Sequence, residues 1–243
     1  MEPAETDYDA RSLETLASLQ RYSRWIRDGF GAALRGRVLE VGAGTGNFAE
    51  TWVPECASAV LLEPAASPRA LLESRFAGDA RVRVVDVPLA DATDLGTFDA
   101  VVLVNVLEHL DDDAAELARV RAHLAPGGAV LLFVPALPAL YGSLDALVGH
   151  RRRYTRQTLG AAVRAAGLEV VRMRWFDVLG VVPWWIVGRV LRKPSFDGPL
   201  APLYDRAVVP WASVLERVLP PLLGKNLLCV ARAAAAPGAR VHA

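Results

Sequence analysis

Three short stretches of this chain combine residue types and spacings that suit chemistry. The first is Leu39-Glu40-Val41-Gly42-Ala43-Gly44-Thr45-Gly46-Asn47-Phe48. An apolar run carrying one acid, Glu40, enters it, glycines alternate at 42, 44 and 46, and residues 48–53 can start a helix. A strand, a tight glycine loop and a helix N-terminus form the place where an α/β sheet receives a nucleotide-like cofactor. The second stretch is Asn105-Val106-Leu107-Glu108-His109, and the third is Gly149-His150-Arg151-Arg152-Arg153-Tyr154. Both hold a histidine, the side chain best suited to take a proton near neutral pH.

Glycine spacing separates the cofactor candidates. A dinucleotide fingerprint reads G-x-G-x-x-G. Here the third glycine, Gly46, comes one residue early, and Asn47 stands at the fingerprint position. No lysine follows, which excludes a P-loop. A further acid, Glu63, follows an apolar run about 20 residues after the loop, where a carboxylate can accept both hydroxyls of a ribose.

The segment E-V-G-A-G-T-G-N-F resembles motif I of the class I S-adenosylmethionine (SAM)-dependent methyltransferases. V-L-E-H after the fourth apolar run and L-x-P-G-G before the fifth are similar to the same family. The resemblance covers about residues 36–176 and the last strand. It implies cofactor contacts from Glu40, Gly42, Ala43, Gly44, Gly46, Asn47 and Phe48 in the loop, with Glu40 facing the amino-acid end. It also implies contacts from Glu63 and Pro64 after the second strand, Asp86 and Val87 after the third, and Asn105 and Val106 after the fourth. Asp86 is the expected partner of the adenine amino group. Asp91 is an open alternative, and a turn-forming role accounts for either aspartate.

The four histidines divide by position. His242 lies in the tail, and His123 sits late in a helix, where the dipole explains it. His109 follows the fourth strand, at the carboxyl edge of the sheet where ligands bind. It reads mainly as cofactor-site architecture, with direct catalysis as the alternative. His150 follows the fifth strand on the same edge. One reading makes its loop an acceptor site, with His150 as base or orienter and Tyr154 and an arginine fixing substrate. The other pairs the arginines with Asp145 or with Asp111, Asp112 and Asp113. His150, His109 and Tyr154 are therefore the candidate catalytic residues. No metal is called for, since acids at a helix start complement its dipole.

The elements that must position these groups follow from periodicity. Strands are expected at 37–41, 59–62, 82–85, 98–104, 129–134, 168–176 and 226–232, with a turn at 126–128. Helices are expected over 8–33, around 68–76, up to 124, and from Thr155 as cap to 166, where Gly167 ends the last of these. The fold class is α/β. The resemblance implies a Rossmann-like, seven-stranded, mostly parallel sheet of order 3-2-1-4-5-7-6. The expected organisation is an N-terminal helical segment (1–35), a SAM-binding domain (36–233) and a flexible tail (234–243). A helical insertion (177–224) lies between strands six and seven. It is rich in Trp and Pro and reads as a lid over an apolar pocket, as a packing or dimer layer, or as a shallow membrane contact.

Composition narrows the partners. The 243 residues suit one embellished α/β domain. Net charge is zero, so no global field draws nucleic acid. Cys56 and Cys229 read as buried apolar groups in a reducing, cytoplasmic setting rather than a disulfide. The polar, acidic start is unlike a secretory signal, and the longest apolar run is too short to span a bilayer. The expected state is monomer or homodimer.

The function expected is methyl transfer from SAM to a small, fairly apolar acceptor at oxygen first, then nitrogen or carbon. In-line approach supplies most of the rate, and histidine can assist deprotonation. The rivals are a non-methylating SAM enzyme and a non-catalytic SAM-binding scaffold on the same fold. An NAD-linked oxidoreductase is disfavoured by Asn47.

Overall fold

The computed structural model describes residues 19–192 and 200–234. The first part of the expected N-terminal helix, Lys193 and Phe196 of the insertion, and the expected flexible tail from residue 235 lie outside them.

Seven strands form one sheet: β1 (Arg37–Val41), β2 (Ser58–Leu62), β3 (Val82–Val85), β4 (Phe98–Val104), β5 (Leu124–Pro135), β6 (Leu168–Phe176) and β7 (Asn226–Ala233). Their order is β3-β2-β1-β4-β5-β7-β6, as the resemblance implies. Strands β1 to β5 run parallel, and β7 pairs antiparallel with both β5 and β6. Strand β5 starts five residues before the expected 129. Phe98 pairs with Leu124 and Ala100 with Ala129, so Pro126, Gly127 and Gly128 form an irregularity within the pairing rather than a turn ahead of it. The preceding helix accordingly stops at Ala122.

The central strands are buried on both faces. Val38, Ala100, Val102, Leu131 and Phe133 face one core with Trp25, Phe30, Phe48 and Trp52. Leu39, Val101, Leu103, Val130 and Leu132 face the other with Leu117, Leu159 and Val163. This is the near-continuous apolar strand of a sheet covered on both sides, with neighbours alternating by face. Cys56 and Cys229 are free and buried, as expected of small apolar residues, and burial pushes the Cys229 thiol up to about 12.

The covering helices are α1 (Gln20–Phe30), α2 (Ala49–Trp52), α3 (Ala66–Arg75), α4 (Asp113–Ala122), α5 (Ser143–Leu147) and α6 (Arg156–Ala165). Asp112 caps α4 by accepting from the Ala115 N–H at 2.8 Å, which explains one of the three aspartates. Thr155 caps α6 by accepting from Thr158 N–H at 3.1 Å, and Gly167 follows with φ +72°.

The insertion divides into two parts. Helix α7 (Val181–Trp185) passes into a π-helical turn, Ile186–Val190, and lies against α5: Ser143 donates to the Gly188 carbonyl at 3.1 Å and Arg189 to the Tyr141 carbonyl at 2.9 Å. Helices α8 (Leu200–Ala207) and α9 (Val209–Val218) join the layer of α1. Buried Asp205 of α8 accepts from the N–H groups of Arg21 (3.2 Å) and Tyr22 (2.7 Å), the first turn of α1, which has no side-chain cap of its own. Buried Asp177 gathers the hydroxyls of Tyr22 and Tyr204 and the ammonium of Lys225, and Glu216 accepts from the N–H of Asp177 and Val178. The insertion is thus tied down by its own acids. Its outer face leaves Val182, Trp185, Trp211, Val218 and Leu222 exposed. Among the described residues, no helix is long and apolar enough to cross a membrane.

Candidate active site

The glycine loop leaves β1 as the sequence reading expects. Gly42, Gly44 and Gly46 all have positive φ (+71°, +56° and +81°), the region that favours glycine. The N–H groups of Gly42 and Ala43 both donate to the Leu62 carbonyl at 2.9 Å, so the loop continues the β1–β2 pairing. A side chain at 42 would strike Val106 Cγ2 at 2.7 Å, whereas one at 44 would meet nothing within 4 Å. The space above Gly44 is open, as a cradle for a ligand requires.

Two buried carboxyl groups face this region. Glu63 is 7 % exposed; one oxygen accepts from the Gly44 N–H at 2.7 Å and the other from the Ala65 N–H at 2.9 Å. Each oxygen retains a lone pair for a further donor. Burial raises its pKa, and the two backbone bonds oppose the rise. Glu40 is 2 % exposed and accepts from Trp52 Nε1 at 3.1 Å; burial pushes it up to about 8. Asn47 Oδ1 is buried with no partner among the described residues. Phe48 turns its ring into the core against Phe30, which leaves only backbone for the loop. Asn105 holds a left-handed backbone (φ +54°) at the end of β4, next to Val106, whose side chain packs over Gly42. Asp86, Asp91 and Pro64 are exposed, and Val87 is half-buried.

The loops after β4 and β5 are stitched together residue by residue. Arg151 donates to the His109 carbonyl at 2.8 Å and pairs with Asp111; Arg152 donates to the Leu110 carbonyl at 2.8 Å and lies 3.6 Å from Asp113. Arg153, with its side chain 1 % exposed, meets Asp145 at 2.7 Å and the Ala136 carbonyl at 2.8 Å, and stacks on Trp184. The arginine run is therefore occupied internally, which is the pairing alternative of the sequence reading. Tyr154 is 1 % exposed and donates to Asp113 at 2.8 Å and the Leu107 carbonyl at 3.2 Å. Burial, then Asp113, drives its pKa upward. Through these bonds the Tyr154 hydroxyl ties the two loops together.

This clamp brings His109 and His150 together, with ring centroids 4.9 Å apart. His150 Nδ1 lies 2.8 Å from Asp145 Oδ1. Burial alone would raise the Asp145 pKa, but the bonds from His150 and Arg153 hold it below the usual range. An ionised Asp145 accepts from Nδ1–H, which leaves the His150 lone pair on Nε2. Nε2 faces Glu108 Oε1 at 3.6 Å. Glu108 is fully buried, and burial pushes it up to about 8; burial and the neighbouring His150 push His109 down to about 4. The sequence reading weighed His109 and His150 but overlooked Glu108 and the orienting role of Asp145. The adjacency of Glu108 and His109 and the short spacing from Asp145 to His150 were the available signals.

A family model described as a methyltransferase domain matches residues 12–173. The chain belongs to the methyltransferase domain family. With the sheet order and glycine loop above, it is a class I SAM-dependent methyltransferase, and SAM is its cofactor. Ubiquinone biosynthesis O-methyltransferase of Pseudomonas aeruginosa (strain LESB58) is 31 % identical over 177 residues, covering 65 % of this chain and 72 % of that protein. A SAM-dependent methyltransferase from Clostridium acetobutylicum ATCC 824 superposes with a TM-score of 0.58 at 10 % identity, over 89 % of this chain and 92 % of that one. The DhpI–SAH complex gives 0.56 at 17 % identity, over 94 % and 100 %. These two likenesses concern the fold. The residues of this methyltransferase fit the cofactor: open space over Gly44, free lone pairs on Glu63, and a buried, unpartnered Asn47 oxygen.

Proposed function

We propose that this methyltransferase methylates a hydroxyl oxygen of a small, fairly apolar acceptor, and that the hydroxyl loses its proton beside His150. The observation that carries the reading is His150, fixed by Asp145 at 2.8 Å so that Nε2 points into the cluster with Glu108 and His109. That cluster lies after β4 and β5, at the carboxyl edge where such sheets bind ligands. The match to an O-methyltransferase supports oxygen as the acceptor atom.

Bound SAM supplies a methyl carbon already activated by a cationic sulfur. Glu63 accepts the ribose hydroxyls, Glu40 and Asn47 meet the amino-acid end, and the backbone of the glycine loop sets the approach. Asp86 stands at the adenine side. His150 and His109 receive the acceptor oxygen, and α7 with its π-turn walls the site on the side of α5. Placing the oxygen in line, at about 3–3.5 Å from the carbon, provides most of the acceleration. A panel of hydroxylated apolar compounds tests the reading. Demethylated SAM should accumulate with the free hydroxyls and not with the same compounds already O-methylated; equal turnover of both sets would refute it.

Two consequences concern the cofactor. Glu63→Ala should weaken SAM binding by about 1–3 kcal/mol, or roughly 5- to 150-fold, because the ribose hydroxyls lose their acceptor. Unchanged affinity in a calorimetric titration would remove Glu63 from the site. Burial pushes Glu40 up to about 8, which favours its protonated form at pH 7 before the ligand binds. Meeting a cationic ammonium favours its ionised form. SAM affinity should therefore rise with pH between about 6 and 7.5, below the titration of the ligand's own α-amino group. Binding should also release a proton, visible as a buffer-dependent heat. Glu40→Gln should abolish that release; an unaltered proton count would contradict the assignment.

A further inference from the structure

Glu108 is the feature that methyl transfer by imidazole alone leaves unexplained. It is fully buried, yet neither carboxylate oxygen has a hydrogen-bond partner among the described residues. Buried polar groups are almost always satisfied, and an orphan carboxylate calls for an ion or another partner. One donor atom each from Glu108, His109 and His150 lie within 4.8 Å of one another. Two of these donors, Glu108 Oε1 and His150 Nε2, are 3.6 Å apart. Ligand atoms about 2.0–2.2 Å from a single ion sit roughly 3–3.5 Å apart, so rotamer-scale contraction closes the set.

Outer contacts prepare these atoms as ligands. The Asp145 carboxylate holds His150 Nδ1–H at 2.8 Å and presents Nε2 inward, the carboxylate–histidine arrangement that supports metal-binding imidazoles. The Nδ1 edge of His109 lies toward Gly149, 3.8 Å from where a Cβ there would stand. Gly149 has φ +76°, and the loop carrying it is pinned by the His150 N–H on the Asp145 carbonyl at 2.9 Å. Two imidazoles and one carboxylate form an incomplete shell, the type that keeps positions open for water or substrate.

We propose that Glu108, His109 and His150 bind one divalent first-row transition-metal ion, against the expectation of no metal drawn from sequence. The site stands on geometry. Its use rests on the hydroxyl-methylating reading above: the acceptor oxygen occupies an open position on the ion, which acts as a Lewis acid. The hydroxyl proton passes to solvent water. The oxygen lone pair forms the C–O bond as the C–S bond breaks, giving a methyl ether and demethylated SAM. His150 is then a ligand rather than the base.

The untagged, chelator-stripped protein is titrated with Co²⁺ and Zn²⁺. Expected are one ion per chain by elemental analysis and visible absorption of bound Co²⁺, both lost in Glu108→Gln and in His109→Ala. His123→Ala, whose ring meets the Gly96 carbonyl elsewhere, should keep both. Unchanged circular dichroism and a cooperative thermal transition in the variants show that they fold. Absence of a bound ion, or equal binding by Glu108→Gln, overturns the proposal. Full hydroxyl methylation by the stripped protein also overturns it, while leaving the O-methylation reading intact. One bound ion in a protein that methylates no hydroxyl supports the site and defeats that reading instead.

Discussion

Replacing His150 by Ala should lower methyl transfer by about 10²- to 10⁴-fold, the range for losing the group at which a proton leaves. SAM affinity should change by no more than about twofold, since the glycine loop and Glu63 lie on other elements and distant effects are nearly additive. The split follows from the geometry. His150 is held by Asp145 from the β5 side and faces Glu108 and His109 from the β4 side, whereas most candidate cofactor contacts sit at the ends of β1, β2 and β3, with Asn105 and Val106 alone at the end of β4. Single-turnover rates with SAM in excess, beside a binding titration, measure both quantities. A loss of affinity matching the loss of rate would move His150 into the cofactor site, and an unchanged rate would leave positioning alone as the source of catalysis.

Arg153→Ala should destabilise the protein by about 3–5 kcal/mol, the cost of breaking a buried ion pair and leaving one charge behind. The guanidinium is enclosed, donates to Asp145 and to the Ala136 carbonyl, and lies 5.0 Å over the Trp184 ring. Removing it strips Asp145 of a partner and unties the His150 loop from the end of β5. Urea unfolding should show a lower midpoint with little change in slope. Turnover should fall as well, because Asp145 orients His150. A loss below about 1 kcal/mol, typical of an exposed pair, would contradict this account of the loop.

The glycine loop and the strands that carry it were legible in the sequence because local chemistry dictates them. Positive-φ glycines, an acid at the end of an apolar run and strands buried on both faces leave marks within a few residues. The sheet order came from resemblance rather than from pattern, since no periodicity states which strand lies beside which. The loops after β4 and β5 were harder to read. Nothing beside Glu108 in the sequence marks it as buried; a loop some forty residues later folds over it and closes off water. The bonds of Tyr154 to Asp113 and the Leu107 carbonyl join residues more than forty positions apart and leave no local mark. The irregular start of β5 was missed because Pro-Gly-Gly signals a turn locally, while β4 pairing extends through it to Leu124.

Transfer of an isotopically labelled methyl group decides whether oxygen is the acceptor atom. The enzyme is incubated with methyl-labelled SAM and hydroxylated apolar acceptors, and the product is analysed by mass spectrometry and NMR. One labelled methyl per product molecule is expected, carried on oxygen as an ether, together with one equivalent of demethylated SAM. Label on carbon or nitrogen, or consumption of SAM without a methylated product, would contradict it.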